Sequence, residues 1–158
     1  MTKNIFFSDI EIIEQRIREL HYSDAFDENF DFDLLDNEQF SINIEYNLYV
    51  NQEEETEHLL IIILEIEEIE AEKDDSIHLG MVVQGHYKIN SEIDPKEFSS
   101  LYHFGSLSLA INFLRTSFFN LTALTLNEGL SLPLIDMEAL HKDYDERTKK
   151  ESKKKNKK

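Results

Sequence analysis

Residues 40–50, FSINIEYNLYV, place Phe40, Ile42, Ile44, Tyr46, Leu48 and Val50 on one side of an extended chain, with Ser41, Asn43, Glu45 and Asn47 on the other. A strict period of two belongs to a half-buried strand and not to a helix. Residues 58–71, HLLIIILEIEEIEA, follow after an acidic turn and are dense in β-branched side chains, so they read as a second strand. Their first half is apolar on both faces, which places this strand in a sheet interior or at an interface. The phase slips near Glu67 and Glu68, predicting a bulge or the end of regular pairing. Residues 76–90 then put Ile77, Leu79, Met81, Val83, Tyr87 and Ile89 on one face. Short polar turns join the three strands, so they form an antiparallel meander.

Beyond the meander the period changes. Asp94–Pro95 is a helix start, with Asp as N-cap and Pro in the first turn. Phe98, Leu101 and Tyr102 make one apolar face, and a longer helix is predicted over 104–122. One side of it carries Leu107, Ala110, Ile111, Leu114, Phe118 and Leu121; another carries Phe104, Leu109, Phe113 and Phe119. A helix apolar on two sides must be covered twice. A sheet covers one side, so the other predicts an oligomer interface, to which Leu107, Ile111, Leu114 and Phe118 are assigned. Residues 130–135, LSLPLI, read as extended, and Asp136 caps a last helix predicted over 137–147.

Two N-terminal segments are less determined. In residues 8–22, Ile10, Ile13, Ile17 and Leu20 have helical spacing, whereas Ile10, Ile12, Leu20 and Tyr22 could share a strand face. Residues 23–39 form a long connection with Phe26, Phe30, Phe32, Leu34 and Leu35 among acids. A loop so rich in aromatic groups either packs down or binds something.

Charge narrows the function. Acids outnumber bases 33 to 16 in the 158 residues, a net of −17. Residues 142–158 hold nine Lys or Arg against four acids (+5), leaving 7 bases and 29 acids (−22) in the other 141. An acidic body repels phosphate backbones, so nucleic acid is not an expected partner. Zero Cys excludes disulfide scaffolds, thiol catalysis and Cys-based metal centres. The longest apolar run, Leu59–Leu64, is too short to span a bilayer, and the first residues lack the apolar core of a signal peptide. A cytoplasmic protein with no membrane insertion is expected. The chain divides into a domain over 1–147 and a lysine-rich disordered tail over 148–158.

No catalytic constellation emerges, and neither an enzyme nor a cofactor is expected. The six His (His21, His58, His78, His86, His103, His141) show no metal-ligand spacing. They read as surface or cross-strand groups; His78 and His86 lie eight apart on one strand, about 26 Å by the strand rise. The acidic runs at Glu53–Glu55 and Glu65–Glu72 lack the glycine and spacing of a calcium loop. GxSxG, GxGxxG and P-loop patterns are absent. What remains is a surplus of apolar groups in 23–39 and 118–135, read either as ordinary packing or as a groove for partner chains.

The order of elements resembles SecB, the bacterial protein-export chaperone family. Arg115 falls where the family has an arginine in its long helix. Leu130, Leu132 and Ile135 follow the apolar spacing of its Leu-x-Leu-x-Pro-Val segment, with Pro133 displaced by one. Asp136-Met137-Glu138-Ala139-Leu140 stands for Asn-Phe-Asp-Ala-Leu, and Gly85-His86-Tyr87-Lys88-Ile89 for Gly-Ile-Phe-x-Ile. The resemblance covers about 10–145 and implies an α+β fold. Four antiparallel strands, with a crossover loop after the first, would be packed by a long and a short helix. It turns 8–22 into a strand and implies a homotetramer, a dimer of dimers. It also implies an ATP-independent holdase that binds unfolded precursor proteins for export. The apolar groove would be lined by Phe26, Phe30, Phe32, Leu35, Phe40, Leu124, Leu126, Leu132 and Met137. Docking to SecA, the export motor, is implied through Glu19 and Asp24, and Gly80, standing in place of a further glutamate, counts against it. SecB-like chaperones dedicated to an antitoxin offer a second reading, and a small oligomeric adaptor a third.

Overall fold

The computed structural model describes residues 9–22, 40–69, 78–125 and 129–155. Four strands form one antiparallel sheet in the order β1-β4-β3-β2: β1 (Ile10–Tyr22), β2 (Phe40–Val50), β3 (Glu57–Glu68) and β4 (His78–Ile89). The meander is β2-β3-β4, and β1 returns to the free side of β4. The doubly apolar β3 lies in the interior: Leu60, Ile62 and Leu64 are fully buried on one face, while Leu59, Ile61 and Ile63 are half-buried on the other. Of the two readings for Glu67 and Glu68, the end of regular pairing holds and the bulge does not, since β2 and β3 pair in unbroken register from Val50↔His58 to Phe40↔Glu68, where β3 ends. The apolar phase slips because the strand is ending. The register shifts fall in β1 instead, between Ile12 and Glu14 and between Ile17 and Glu19. Each inserts a residue and bends this edge strand.

Asp94 starts the helical region as expected, its carboxylate accepting the Lys96 N–H at 3.0 Å ahead of Pro95. A 3₁₀ turn (Pro95–Glu97) and one α turn, α1 (Phe98–Ser100), lead into a π-helical stretch, Leu101–Ser106, and then α2 (Leu107–Thr125). The π stretch turns Tyr102, His103 and Ser106 inward. Gly105 lets it sit against β1, because a Cβ there would lie 2.5 Å from Ile10 Cδ1.

α2 packs across β3 and β4 and reaches β1. Its buried side is Leu107, Ala110, Ile111, Leu114 and Phe118, all in one cluster with Leu60, Ile62, Leu64, Met81, Val83 and Tyr87. This corrects the interface assignment. Leu107, Ile111, Leu114 and Phe118 face the protomer's own sheet, and the side left in contact with water carries Phe104 and Phe119. Helical spacing identifies two apolar sides but does not tell which one the sheet takes.

Asp136 caps α3 (Met137–Lys155), accepting the N–H groups of Glu138 and Ala139 at 3.0 Å each. α3 overruns its predicted end, so residues 148–155, expected as a disordered tail, are helical. The segment TKKESKKK has no Gly or Pro to stop a helix, and its lysines sit at the favourable, C-terminal end of the helix dipole. Of the long connection 23–39 nothing is described.

Phe118→Ala is expected to lower the unfolding free energy by about 3–5 kcal/mol in denaturant titration, the range for emptying a core aromatic site. A loss under about 1 kcal/mol accompanied by a change of association state would return Phe118 to an interface.

Candidate functional site

After α2 the chain runs back beside it as an extended segment, held by two side chains of the helix. Arg115 spreads its guanidinium over two carbonyls, Nη1 to Pro133 and Nη2 to Leu132, both at 3.0 Å. Thr122 Oγ1 accepts the Leu130 N–H at 2.8 Å while lying 2.8 Å from the Phe118 carbonyl, to which it donates. Thr122 and Arg115 are seven residues apart, so the return strand is fixed at two points about 10 Å apart along the helix. This alignment drives Leu130 and Leu132 into the core, and past Pro133 the chain turns Leu134 outward.

The result is an apolar rim, in separate patches, on α2 and the segment beside it. Leu134 is 91% exposed and Leu124 80%, far beyond the other apolar groups, and Phe119 is 46% exposed. Ile135 and Met137 are half-buried against the core at the foot of α3. Of the residues assigned to a groove, Leu124 and Met137 stand on this rim, whereas Leu132 and Phe40 are buried in the protomer core. Phe40 opens β2 on the covered face of the sheet, and Leu132 is drawn in by Arg115. Phe26, Phe30, Phe32, Leu35, Leu126 and Asp24 lie outside the described residues. Leu134 and Phe119 were missed: Leu134 breaks the alternation of LSLPLI, and no spacing rule exposes it.

α3 closes over β2, and a polar cluster fastens it there. The buried Tyr46 hydroxyl lies 2.8 Å from His103 Nδ1 and 3.2 Å from His141 Nδ1, joining β2, the π stretch and α3. Tyr144 stacks on the Tyr46 ring at 4.7 Å, interplanar angle 13°. One turn on, Arg147 donates from Nη2 to the Tyr46 carbonyl at 2.9 Å, on edge strand β2, and pairs with Asp143 at 2.9 Å and Glu45 at 3.6 Å. Burial, and then the neighbouring Tyr144 and Asp145, raise the Tyr46 phenol far above its ordinary range. Burial lowers the His103 imidazole, and His141 adds to that.

A second buried histidine sits under the π stretch. His58 Nε2 lies 2.7 Å from Ser106 Oγ. His58 is 1% exposed, and burial pushes its imidazole down to about 4, so it is neutral at ordinary pH. Tyr102 donates to the Glu55 carbonyl beside it. A Ser–His contact could suggest a nucleophile, but Ser106 is fully buried and no substrate reaches it. His58 is a cross-strand group, its ring 5.7 Å from that of Tyr87 on β4, though buried, whereas the surface or cross-strand reading fails for His103, which the π stretch carries inside. Among the described residues no group of three His, Cys, Asp or Glu could hold a metal ion. No helix among them is long and apolar enough to cross a membrane.

The uncovered face of the sheet is different in character. Glu19 is exposed there, opposite Val82, and Gly80 lies further along β4. The imidazole of His21 fills the space above Gly80, with Nε2 2.1 Å from where a Cβ would be, and its ring centroid is 5.0 Å from that of His78. A carboxylate at position 80 would need His21 to move aside.

No protein-family model and no curated protein matches the chain by sequence. Among solved structures it is similar to a SecB-like chaperone of Mycobacterium tuberculosis in complex with a ChAD peptide from an antitoxin. That match has a TM-score of 0.55 at 8% identity and covers 81% of this chain and 88% of that one. A protein of unknown function from Streptococcus agalactiae matches with a TM-score of 0.44 at 14% identity, over 79% of this chain and 97% of that one. The chain has a SecB-like fold: a four-stranded antiparallel sheet packed by C-terminal helices.

Two substitutions two residues apart separate core from rim. Leu132→Ala is expected to cost about 2–5 kcal/mol of unfolding free energy, and Leu134→Ala no more than about 0.5 kcal/mol. Equal losses in denaturant titration would contradict the alignment set by Arg115.

Proposed function

We propose that this protein is an ATP-independent chaperone that holds unfolded polypeptides on the apolar rim of α2 and the extended segment beside it. The observation that carries the reading is the exposure of Leu134 and Leu124, with Phe119 about half exposed beside the return segment. Two leucines left almost wholly in water, more exposed than any other large apolar group among the described residues, suit capture of apolar segments. Leu134 follows the carbonyls that Arg115 holds, whereas Leu124, nine residues further along α2, lies half a turn round the helix from Arg115, so the two offer separate apolar contacts to a client that wraps the helix. Recognition by burial alone, at about 25 cal/mol per Å², requires little sequence specificity. The groups Phe26, Phe30, Phe32, Leu35 and Leu126, which lie outside the described residues, are proposed as further client contacts.

The similar mycobacterial protein was solved with an antitoxin peptide, which supports a dedicated client of that kind as the second reading, beside export precursors in general. The acidic body of net −22 would keep a loaded complex soluble and attract basic precursor segments. Docking to SecA is disfavoured by Gly80, which leaves no carboxylate at that position. For assembly, a homotetramer would cover Phe104 of the π stretch and the exposed Ile12, Ile13 and Ile17 of edge strand β1, leaving Phe119 to the client.

Purified protein is expected to suppress aggregation of several unrelated unfolded proteins at stoichiometric ratio without nucleotide, and Leu124→Ser with Leu134→Ser to reduce that capacity several-fold. Protection confined to one client would favour the dedicated reading. No protection of any client, antitoxins included, would contradict the proposal. Light scattering is expected to give a tetramer; a monomer would contradict the proposed assembly.

A further inference from the structure

The Tyr46 hydroxyl has one proton to give and lies within hydrogen-bonding distance of two imidazole Nδ1 atoms. Both contacts are satisfied when one ring is protonated at Nδ1 and donates to the oxygen, and the other is unprotonated there and accepts from it. Adding a proton to the accepting ring turns both Nδ1–H groups on the same oxygen and leaves the phenol without its acceptor. The ring centroids of His103 and His141 are 4.3 Å apart, so two imidazolium charges would be nearly in contact. We propose that His103 and His141, closed on the Tyr46 hydroxyl, form an acid-sensitive clasp that releases α3 from edge strand β2 when both imidazoles are protonated.

The charges around the clasp do not relieve that repulsion. From α3, Asp145 lies 3.9 Å from His141 Nε2 and can offset one charge but not two. Arg147, from the same helix, adds a further cation beside Tyr46, and its own partners are Asp143 and Glu45. Tyr144, from α3, and Tyr46, from β2, are neutral, both phenols being raised by burial. Tyr49 and Glu151 act on Tyr144 from the far side. From the helical region Phe104 sets its ring across His141 at 5.2 Å and contributes no charge. Burial and His141 together hold the His103 imidazole below its ordinary value, and the sign follows. Release of α3 returns the His103 imidazole towards its ordinary value of about 6.5, so the released form binds more protons than the closed form as pH falls through that value. The clasp is therefore fully closed above about 6.5 and weakens below it.

Release would undo three contacts together: the Tyr46–Tyr144 stack, the Arg147 bond to the Tyr46 carbonyl and the burial of Leu140. It would uncover backbone of β2, an edge strand able to accept an added strand. The clasp acts on α3 whether or not the protein binds clients. His58 stays out of the same interval, since its imidazole takes a proton only at about 4.

Hydrogen–deuterium exchange of the full chain at about pH 7.5 and 5.5, corrected for intrinsic rates, separates α3 from the sheet. Protection of 137–147 is expected to fall about tenfold at the lower pH, with β3 and β4 unchanged. His103→Asn and His141→Asn, which keep a polar group near the Nδ1 position and cannot become cationic, are each expected to abolish the fall. His141 lies at the rim, so its variant serves if the His103 variant does not fold. Unchanged protection of α3 in the parent, or the same fall in His141→Asn, would overturn the clasp.

Discussion

Arg115, forked over the Leu132 and Pro133 carbonyls, fixes how the chain returns along α2, and much of the molecule depends on that return. A single layer of helix must cover the inner face of four strands. α2 reaches β1, β4 and β3, which leaves β2 open unless a further element comes back to it. With the return strand aligned by Arg115 and Thr122, Leu130 and Leu132 complete the core and Asp136 starts α3 where Leu140 is buried. Tyr144 and Arg147 then fall over Tyr46. A bidentate guanidinium suits this task because its planar fork addresses two successive carbonyls without a rotamer change.

The sheet was legible in the sequence because a period of two is unambiguous when only one face is buried. FSINIEYNLYV is β2 to the residue, and the apolar density on both faces of β3 correctly implied a central strand. The N-terminal strand was not legible from its residues alone, since two bulges break its alternation into something close to helical spacing. The caps at Asp94 and Asp136 were readable, being local hydrogen-bond chemistry. The choice of face on α2 was not. Leu107, Ile111, Leu114 and Phe118 and the opposite side are both apolar, and only the tertiary position of the sheet distinguishes them.

The candidate site was half legible for the same reason. Composition placed an apolar surplus in 118–135, and the rim is there, but Leu132, assigned to the groove, is in the core, and Leu134, given no role, is exposed, because hydrogen bonds from α2, not the spacing, set their orientation. The histidines show the limit more sharply. Nothing in the separation of His103 from His141, or of either from Tyr46, marks them as neighbours; they meet because a π turn, an edge strand and a returning helix converge. Buried polar clusters assembled from distant elements leave no short motif, although once formed each member must be satisfied.

The account assigns capture of unfolded chain to the exposed leucines beside α2 and gives the acidic, uncovered sheet face no part in it. A photo-reactive residue placed at position 134, at 124, or at Glu65 on that sheet face tests this directly in the presence of an unfolded client. Cross-links are expected from 134 and 124 and not from 65. Cross-links from 65 with none from 134 or 124 would contradict the account.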